Sequence, residues 1–281
     1  MRKGFVITIS IAIILSVLLL SASYYLKKNR EEQKIIFDSV SALVVADIAD
    51  DIAQDAKNVL GFSINTEKKL DSTFVKIEDS VPMHASNESI EAWKKFIESN
   101  YAPKKNAVIS ICNLTPETEL YFPNGLKYKR SKTEYYVLLY MPNSETNVFS
   151  YDINLSIEHG SYDDENSSKW SCDSGSTKVT LRIIDYSGEK VERVCNISNS
   201  NTYEYLIKFQ NIGGDVNVTV GRIGNSTGAL KIQNNLVGGH AIDINFSFSI
   251  PPTQPSAFLP CSLNVSMGST SWDGNITFGS G

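Results

Sequence analysis

The sequence is poor in the residues and motifs that enzymes use for catalysis. Its three histidines, His84, His159 and His240, lie in no HExxH or GxSxG motif, and CxxC pairs and glycine-rich phosphate loops are missing. The acidic loop Asp163 to Asn166 has oxygen ligands suited to Ca²⁺, but its spacing matches no known calcium loop, so we expect a solvated loop. These absences predict no catalytic residue, no metal and no cofactor, and therefore a protein that is not an enzyme.

An excess of basic residues is also missing. The formal net charge is −5, and nucleic-acid-binding proteins need a basic face, so we expect no nucleic-acid partner. The basic cluster Lys27, Lys28 and Arg30 directly follows an apolar stretch, and this position is typical of a membrane border.

Glycine and proline do not occur between Gly4 and Gly61, and residues 5–26 carry no charge. A helix over residues 5–26 would be roughly 33 Å long, about the thickness of the hydrocarbon core of a bilayer. The sequence therefore predicts a signal and transmembrane anchor over residues 1–26, with the membrane contacted through residues 5–26.

Helical periodicity continues beyond this stretch and predicts an extended helical stalk over residues 27–61, with Gly61 as its C-cap. The other face carries Asp47, Asp50, Asp51 and Asp55, which we interpret as solvated. The apolar positions that we assign to one stripe are Ile36, Val40, Leu43 or Val44, Ile48, Ile52, Ala56, and Val59 or Leu60.

The remaining chain is predicted as a neck with a short helix over residues 62–103 and a β-sandwich head over residues 104–281. The helix is expected at 89–101, with Asn87 as N-cap and Pro103 at its end. Alternating short strands without intervening helices favour a mainly antiparallel sandwich, so the fold class is α+β. The predicted strands are 107–112, 119–122, 134–141, 147–158, 178–185, 190–197, 202–209, 215–223, 229–233, 241–250 and 261–267. The segment 73–77 and the tail 268–281 are further strand candidates, and 202–209 with 215–223 is predicted as an antiparallel hairpin.

Ten Asn-x-Ser/Thr triplets follow the apolar stretch, against roughly four expected by chance, and they predict N-glycosylation and an extracellular head. An Asn- and Ser-rich composition alone is the alternative explanation. Asn154, Asn217, Asn245 and Asn264 alternate with apolar residues, which places them on the polar faces of strands. The ten asparagines are Asn87, Asn113, Asn154, Asn166, Asn196, Asn217, Asn225, Asn245, Asn264 and Asn275.

The four cysteines, Cys112, Cys172, Cys195 and Cys261, also follow the apolar stretch. An even number predicts two disulfides in an oxidising exterior, while reduced buried cysteines are the alternative. Three pairings are possible, and we favour Cys172 with Cys195 and Cys112 with Cys261. The predicted location is the cell membrane, with a single pass and the C-terminal domain outside.

The first five residues, Met1-Arg2-Lys3-Gly4-Phe5, place a basic pair and a glycine before an apolar helix. This start resembles the class III signal peptide of type IV pilins, and the plan of a long helix feeding a β head resembles an archaeal pilin-like surface protein. The resemblance implies cleavage by a prepilin peptidase between Gly4 and Phe5. Many pilins carry Glu at the fifth mature position, whereas this chain has Ile9.

These observations predict a non-enzymatic, membrane-anchored surface protein of pilin-like type, which serves as a filament subunit or adhesin. The expected partner is another copy of the chain, bound through the N-terminal helix. One alternative is a monomeric, signal-anchored domain that binds carbohydrate or protein, which Ile9 favours. Another is a secreted protein or hydrolase, since Ser21-Ala22-Ser23 has the form of a signal-peptidase site.

Overall fold

The computed structural model describes residues 2–168, 171–188, 190–252 and 256–278, with the backbone alone for residues 2–13. Helix α1, Arg2–Leu60, leads into a β-sandwich with a second helix, α2, Asn87–Phe96. A π-helical turn, Ile97–Tyr101, and a short helix, α3, Ala102–Lys104, follow α2. The strands are β1 Ser63–Lys68, β2 Thr73–Val81, β3 Val108–Ile111, β4 Glu119–Tyr121, β5 Lys127–Ser131, β6 Tyr136–Tyr140, β7 Ser150–Ile157, β8 Tyr162–Asp163, β9 Thr177–Ile184, β10 Lys190–Ile197, β11 Thr202–Phe209, β12 Ile212–Ile223, β13 Ser226–Asn234, β14 Ile242–Ile250, β15 Ala257–Met267 and β16 Thr270–Phe278.

The described strands form two sheets. The six-stranded sheet has the order β1-β2-β14-β7-β9-β10, and the ten-stranded sheet runs β16-β15-β4-β5-β6-β13-β12-β11-β8, with β3 also paired to β15. Among the described strands every pairing except that of β7 with β9 is antiparallel. The predicted α+β class, with a long N-terminal helix and mainly antiparallel sheets, is confirmed.

Several long strands bury alternate residues because successive side chains point to opposite faces of a sheet. In β14, Ile242, Ile244, Phe246, Phe248 and Ile250 are buried, and the residues between them are exposed or half-buried. Strand β7 repeats this pattern. The inward residues of both sheets and of the last turns of α1 belong to one hydrophobic core, so the end of the helix is part of the head.

The C-terminal part of α1 packs on β15, β16 and α2. Its buried residues recur every three or four positions, as one face of a helix requires. They are Ser41, Val45, Ile48, Ala49, Ile52, Ala56 and Leu60. The helix ends where Gly61 takes a φ of +69°, and the Gly61 amide donates to the Lys57 carbonyl at 3.2 Å, so the predicted C-cap is confirmed.

The single stripe predicted along the helix is wrong in its first half. Ile36, Val40 and Leu43 are more than half exposed, whereas Ile48 and Ile52 are buried. At about 100° per residue, Ile36 lies roughly 160° around the axis from Ile52. A step of three or four residues does not complete a whole helical turn, and over this segment the differences add up to this angle. The apparent stripe therefore contains two opposite apolar faces.

The region predicted as a neck contributes β1 and β2 to the six-stranded sheet. In its helix, Ser86 is the N-cap and forms a capping box with Ser89, so the prediction of Asn87 as the cap is wrong. Pro103 does not end the helical segment, because it lies within α3. Trp93 packs against the core, whereas the Phe96 side chain is 51% exposed.

The strand pattern is mostly recovered from sequence. Strand β11 has the predicted bounds, and its hairpin with β12 is confirmed by the register, which pairs Thr202 with Gly221 and Ile207 with Val216. The sequence did not indicate β1, β5 or β8. Strand β5 reads Lys-Tyr-Lys-Arg-Ser, and charges on both of its faces hide the alternation.

Both favoured disulfides are present. Cys112 bonds to Cys261, with Cα atoms 5.4 Å apart, and Cys172 bonds to Cys195, with Cα atoms 5.2 Å apart. The first bond ties the chain just after β3 to the neighbouring strand β15, and the second ties the loop before β9 to β10. Of the three possible pairings, the favoured one is thus confirmed.

Candidate functional site

Among the described residues, the most unusual surface is the stretch of α1 over residues 14–40. In the exposed segment, residues 14–40, every residue except the half-buried Asp38 is exposed. The exposed fraction reaches 71% for Leu20 and 65% for Ile35. Large apolar side chains are therefore presented on both sides of the charged residues Lys27 to Lys34. An apolar surface of this extent marks an interaction site.

The helices of the described chain contain no stretch long and apolar enough to qualify as a membrane span. The predicted span, residues 5–26, includes positions 5–13, whose side chains lie outside the described residues. The backbone is helical through the predicted cleavage site, since Gly4 and Phe5 both lie within α1.

The acidic residues of α1 lie next to the docked face. Asp47, Asp50, Asp51 and Asp55 are all exposed, and the Tyr101 hydroxyl donates to the Asp51 carboxylate at 2.9 Å. Burial, the hydrogen bond to Asp51 and the charge of Asp55 together raise the pKa of Tyr101 to about 12. The Tyr101 hydroxyl thus keeps its proton at neutral pH and bonds α1 to the segment that follows α2.

A buried ion pair joins the end of α1 to both sheets. Arg130 on β5 and Asp79 on β2 have fully buried side chains, and the guanidinium binds the carboxylate through two nitrogens, at 2.7 and 2.9 Å. Tyr128 donates to the same carboxylate at 2.6 Å, and Arg130 Nη1 donates to the Leu60 carbonyl at 3.1 Å. The Arg130 guanidinium also lies over the Phe62 ring, 4.6 Å from its centroid.

This cluster satisfies most of its own donors and acceptors. The Leu60 carbonyl belongs to the last turn of α1, where no later amide of the helix can reach it, and Arg130 supplies the missing donor. Burial and the charge of Asp79 raise the pKa of Tyr128 well above its usual value, so its hydroxyl remains a donor. Sequence reasoning missed the cluster. Its signal was a pair of opposite charges, Asp79 and Arg130, each at an inward position of its strand.

None of the ten sequon asparagines is buried. Three are half-buried, namely Asn154, Asn217 and Asn245. The other seven are exposed, and these are Asn87, Asn113, Asn166, Asn196, Asn225, Asn264 and Asn275. Among these seven, the side chain of Asn166 donates to Asp163 at 2.8 Å. None of the ten is therefore enclosed in the core, where a glycan would have no room.

Two of the half-buried sequons are direct neighbours. Asn154 on β7 is paired with Asn245 on β14, and both face away from the core. The Asn154 side-chain amide, the group that a glycan would modify, donates to the Asn245 carbonyl at 3.2 Å and to Asp152 at 3.3 Å. Residues directly opposite on antiparallel strands have Cβ atoms about 5 Å apart, so the two sites share one patch of surface.

This patch is the floor of a cleft of about 560 Å³ between the outer face of the six-stranded sheet and the end of α1. Lys57 and Asn58 of α1 and the exposed ring of His84 form its rim. The floor includes Ser63, Glu78, Ser80, Asn154, Ser156, Ile184, Asp243 and Asn245.

The remaining histidines and the acidic loop do not form a metal centre. His159 and His240 stack edge to face with ring centroids 5.7 Å apart. Asp163 accepts from Asn166, and Asp164 accepts from Arg193 at 2.8 Å, so the loop carboxylates bind protein groups. Among the described residues there is no group of three or more His, Cys, Asp or Glu placed to hold a metal ion.

In comparisons with known proteins, no protein-family model, curated protein or solved structure matches this chain.

Proposed function

We propose that this chain is a non-enzymatic, membrane-anchored surface protein of pilin-like type, and that it is a subunit of a surface filament. The observation that carries the proposal is α1, a single helix whose last third docks on the sandwich while residues 14–40 present large apolar side chains. Covering these side chains with another apolar phase is favourable, because it removes apolar surface from water.

The membrane is the proposed cover for residues 5–26, and a second copy of the helix is the proposed cover for the apolar residues beyond Lys34. The head would then lie outside the cell. Two disulfides support this location, because they persist in oxidising compartments, and so does the absence of a fully buried residue among the ten sequon asparagines.

The first experiment determines the mature N-terminus by mass spectrometry of protein taken from the membrane fraction. Cleavage by a prepilin peptidase predicts a chain that starts at Phe5. A Gly4→Leu variant, with a bulky residue before the cut, should instead keep Met1. A wild-type start at Met1 would indicate a plain signal anchor with an outward binding head, and a start at Tyr24 would indicate a secreted protein. Either result overturns the pilin-like proposal.

A second prediction concerns the outward apolar face of α1. Val40 is 54% exposed and lies on one side of the helix with Ile36 and Leu43. If this face packs against like helices, Val40→Glu places a charge in an apolar interface, and filaments should be absent from electron micrographs.

The matched control is Ala42→Glu, which adds the same charge at another exposed position, about 160° around the helix from Val40. This variant should form filaments as the wild type does. Because both positions are exposed in the monomer, neither change should alter its unfolding midpoint. Equal filament yields from the two variants would contradict the proposed packing face.

A further inference from the structure

We propose that the cleft between the end of α1 and the six-stranded sheet binds a neutral saccharide unit. This site is independent of filament formation, because all of its residues belong to the head and to the docked last turns of α1. A cleft of about 560 Å³ lies within the usual range for a small-molecule site, roughly 300–1,000 Å³.

Two adjacent cross-strand rows build the floor. Ser80 on β2 pairs with Asp243 on β14, which pairs with Ser156 on β7. One pair further along, Glu78 faces Asn245, which faces Asn154. Neighbouring strands are about 4.8 Å apart, so the rows form a grid of hydroxyl, carboxylate and amide groups. Such a grid both donates and accepts hydrogen bonds, as the hydroxyl groups of a sugar do.

Ser80 shows that the grid is incomplete within the protein. Its side chain points to the outer face, it is only 3% exposed, and its hydroxyl has no hydrogen-bond partner. A buried hydroxyl without a partner is destabilising, and native proteins seldom keep one. A ligand hydroxyl in the cleft would supply the missing bond, and this is the observation that points to a ligand.

The charges of the cleft favour a neutral ligand over an anion. Three carboxylates line the cleft, those of Glu78, Asp79 and Asp243, while Lys57 on the rim is the lysine among the lining residues. Arg130 balances the charge of Asp79. Lys76 lies on the same face as Glu78, and its ammonium group binds the Glu78 carboxylate at 2.6 Å. This hydrogen bond, with a second from Ser63, lowers the pKa of Glu78, so that carboxylate is ionised at neutral pH and forms an ion pair with Lys76, while Asp243 disfavours anions.

Asp243 is exposed, and Ile184 is half-buried at the far end of the floor. The carboxylate can accept from two sugar hydroxyls, and the aliphatic side chain can contact the apolar face of a sugar ring. The arrangement thus combines a few placed polar groups with an apolar contact, as ligand sites in proteins commonly do.

The saccharide has two possible sources. One is a glycan of the chain itself, because Asn154 and Asn245 lie on the floor, and a sugar attached to either would start inside the cleft. The other is a sugar of another molecule. Both sources offer the same chemistry to Ser80 and Asp243.

The test uses the full chain in two forms: glycan-free from a host without N-glycosylation, with both disulfides verified, and glycosylated from its native membrane. Both are held in a detergent without a sugar headgroup. The probes are methyl α-mannoside, methyl β-galactoside and N-acetylglucosamine, measured by saturation-transfer NMR and calorimetry. We expect the glycan-free chain to bind at least one of them.

Ser80→Ala should weaken this binding about 2- to 10-fold, as expected for one hydrogen bond, without lowering the unfolding midpoint, since the hydroxyl has no partner in the protein. Asp243→Ala should weaken it about 10- to 100-fold, because its hydrogen bonds are charge-assisted. Ser247→Ala, on the same face of β14 but outside the cleft lining, is the control and should bind as the wild type does.

The two forms distinguish the sources. If only the glycan-free chain binds the probe, and Asn154→Gln or Asn245→Gln restores binding to the glycosylated chain, the cleft holds the protein's own glycan. If both forms bind, the ligand belongs to another molecule. The proposal is overturned if the glycan-free chain binds none of the probes, or if Ser80→Ala and Asp243→Ala bind like the Ser247→Ala control. Neither overturning result bears on filament formation, which electron microscopy reports separately.

Discussion

Replacement of Arg130 by Met is expected to lower the free energy of unfolding by about 3–5 kcal/mol, the usual cost of removing one partner from a buried ion pair. The change leaves the Asp79 carboxylate buried with Tyr128 as its remaining side-chain donor. It also removes the donor that Arg130 gives to the Leu60 carbonyl, so the last turn of α1 should loosen from the sandwich. Chemical denaturation of the full chain, followed by circular dichroism, measures the change.

The control is Arg193→Met. Arg193 binds Asp164 at 2.8 Å, but the two side chains are 41% and 61% exposed, so solvent screens the pair, and we expect a loss below about 1 kcal/mol. A triple variant, with Asp79→Leu and Tyr128→Phe added to Arg130→Met, removes the stranded carboxylate and phenol hydroxyl, although the Leu60 carbonyl still lacks its donor. It should regain part of the lost stability, because an apolar set of similar size avoids the cost of desolvating a charge. An Arg130→Met loss no larger than that of the control would contradict this account.

The second large effect concerns the disulfide between Cys112 and Cys261. Its sequence separation of 149 residues constrains the unfolded chain far more than the separation of 23 between Cys172 and Cys195. The loop-entropy relation gives about 5 kcal/mol for the longer loop and about 3 kcal/mol for the shorter one. The double variant Cys112→Ser, Cys261→Ser should therefore be the less stable of the two variants that each lack one disulfide.

Each double variant is compared with the oxidised wild type by urea denaturation at one pH, and a free-thiol assay confirms that the other disulfide is intact. A larger loss from removing the 172–195 bond would reverse the expected order and show that native contacts, rather than chain entropy, set the contribution of each bond.

Local sequence patterns predicted the helices and strands whose formation depends on neighbouring residues in the chain. The alternation in 242–250 and 202–209 identified β14 and β11, and the freedom from Gly and Pro before Gly61 identified α1. The disulfide pairing also followed from the sequence, as the favoured one of three. In each case the decisive signal lay within one element or in a small set of choices.

The arrangement of the elements could not be obtained in this way. Nothing local indicates that β2 lies beside β14, which is more than 150 residues away in the chain, or that β9 runs parallel to β7. The cleft needs that register, because Ser80, Asp243 and Ser156 become neighbours only across three strands. Its two sequons, Asn154 and Asn245, were visible as triplets, whereas their pairing and the unsatisfied Ser80 hydroxyl were not.

The borders of the two sheets carry a final consequence. The strands paired on one side only are β1 and β10 in one described sheet and β3, β8 and β16 in the other, and such a strand offers backbone groups to any other strand that approaches. Exposed sequon asparagines lie on two of them, Asn196 on β10 and Asn275 on β16, and Asn166 follows β8 closely. A bulky carbohydrate at these three positions would shield the borders from strand addition. In the proposed filament, the same residues would then keep neighbouring heads from aggregating with one another.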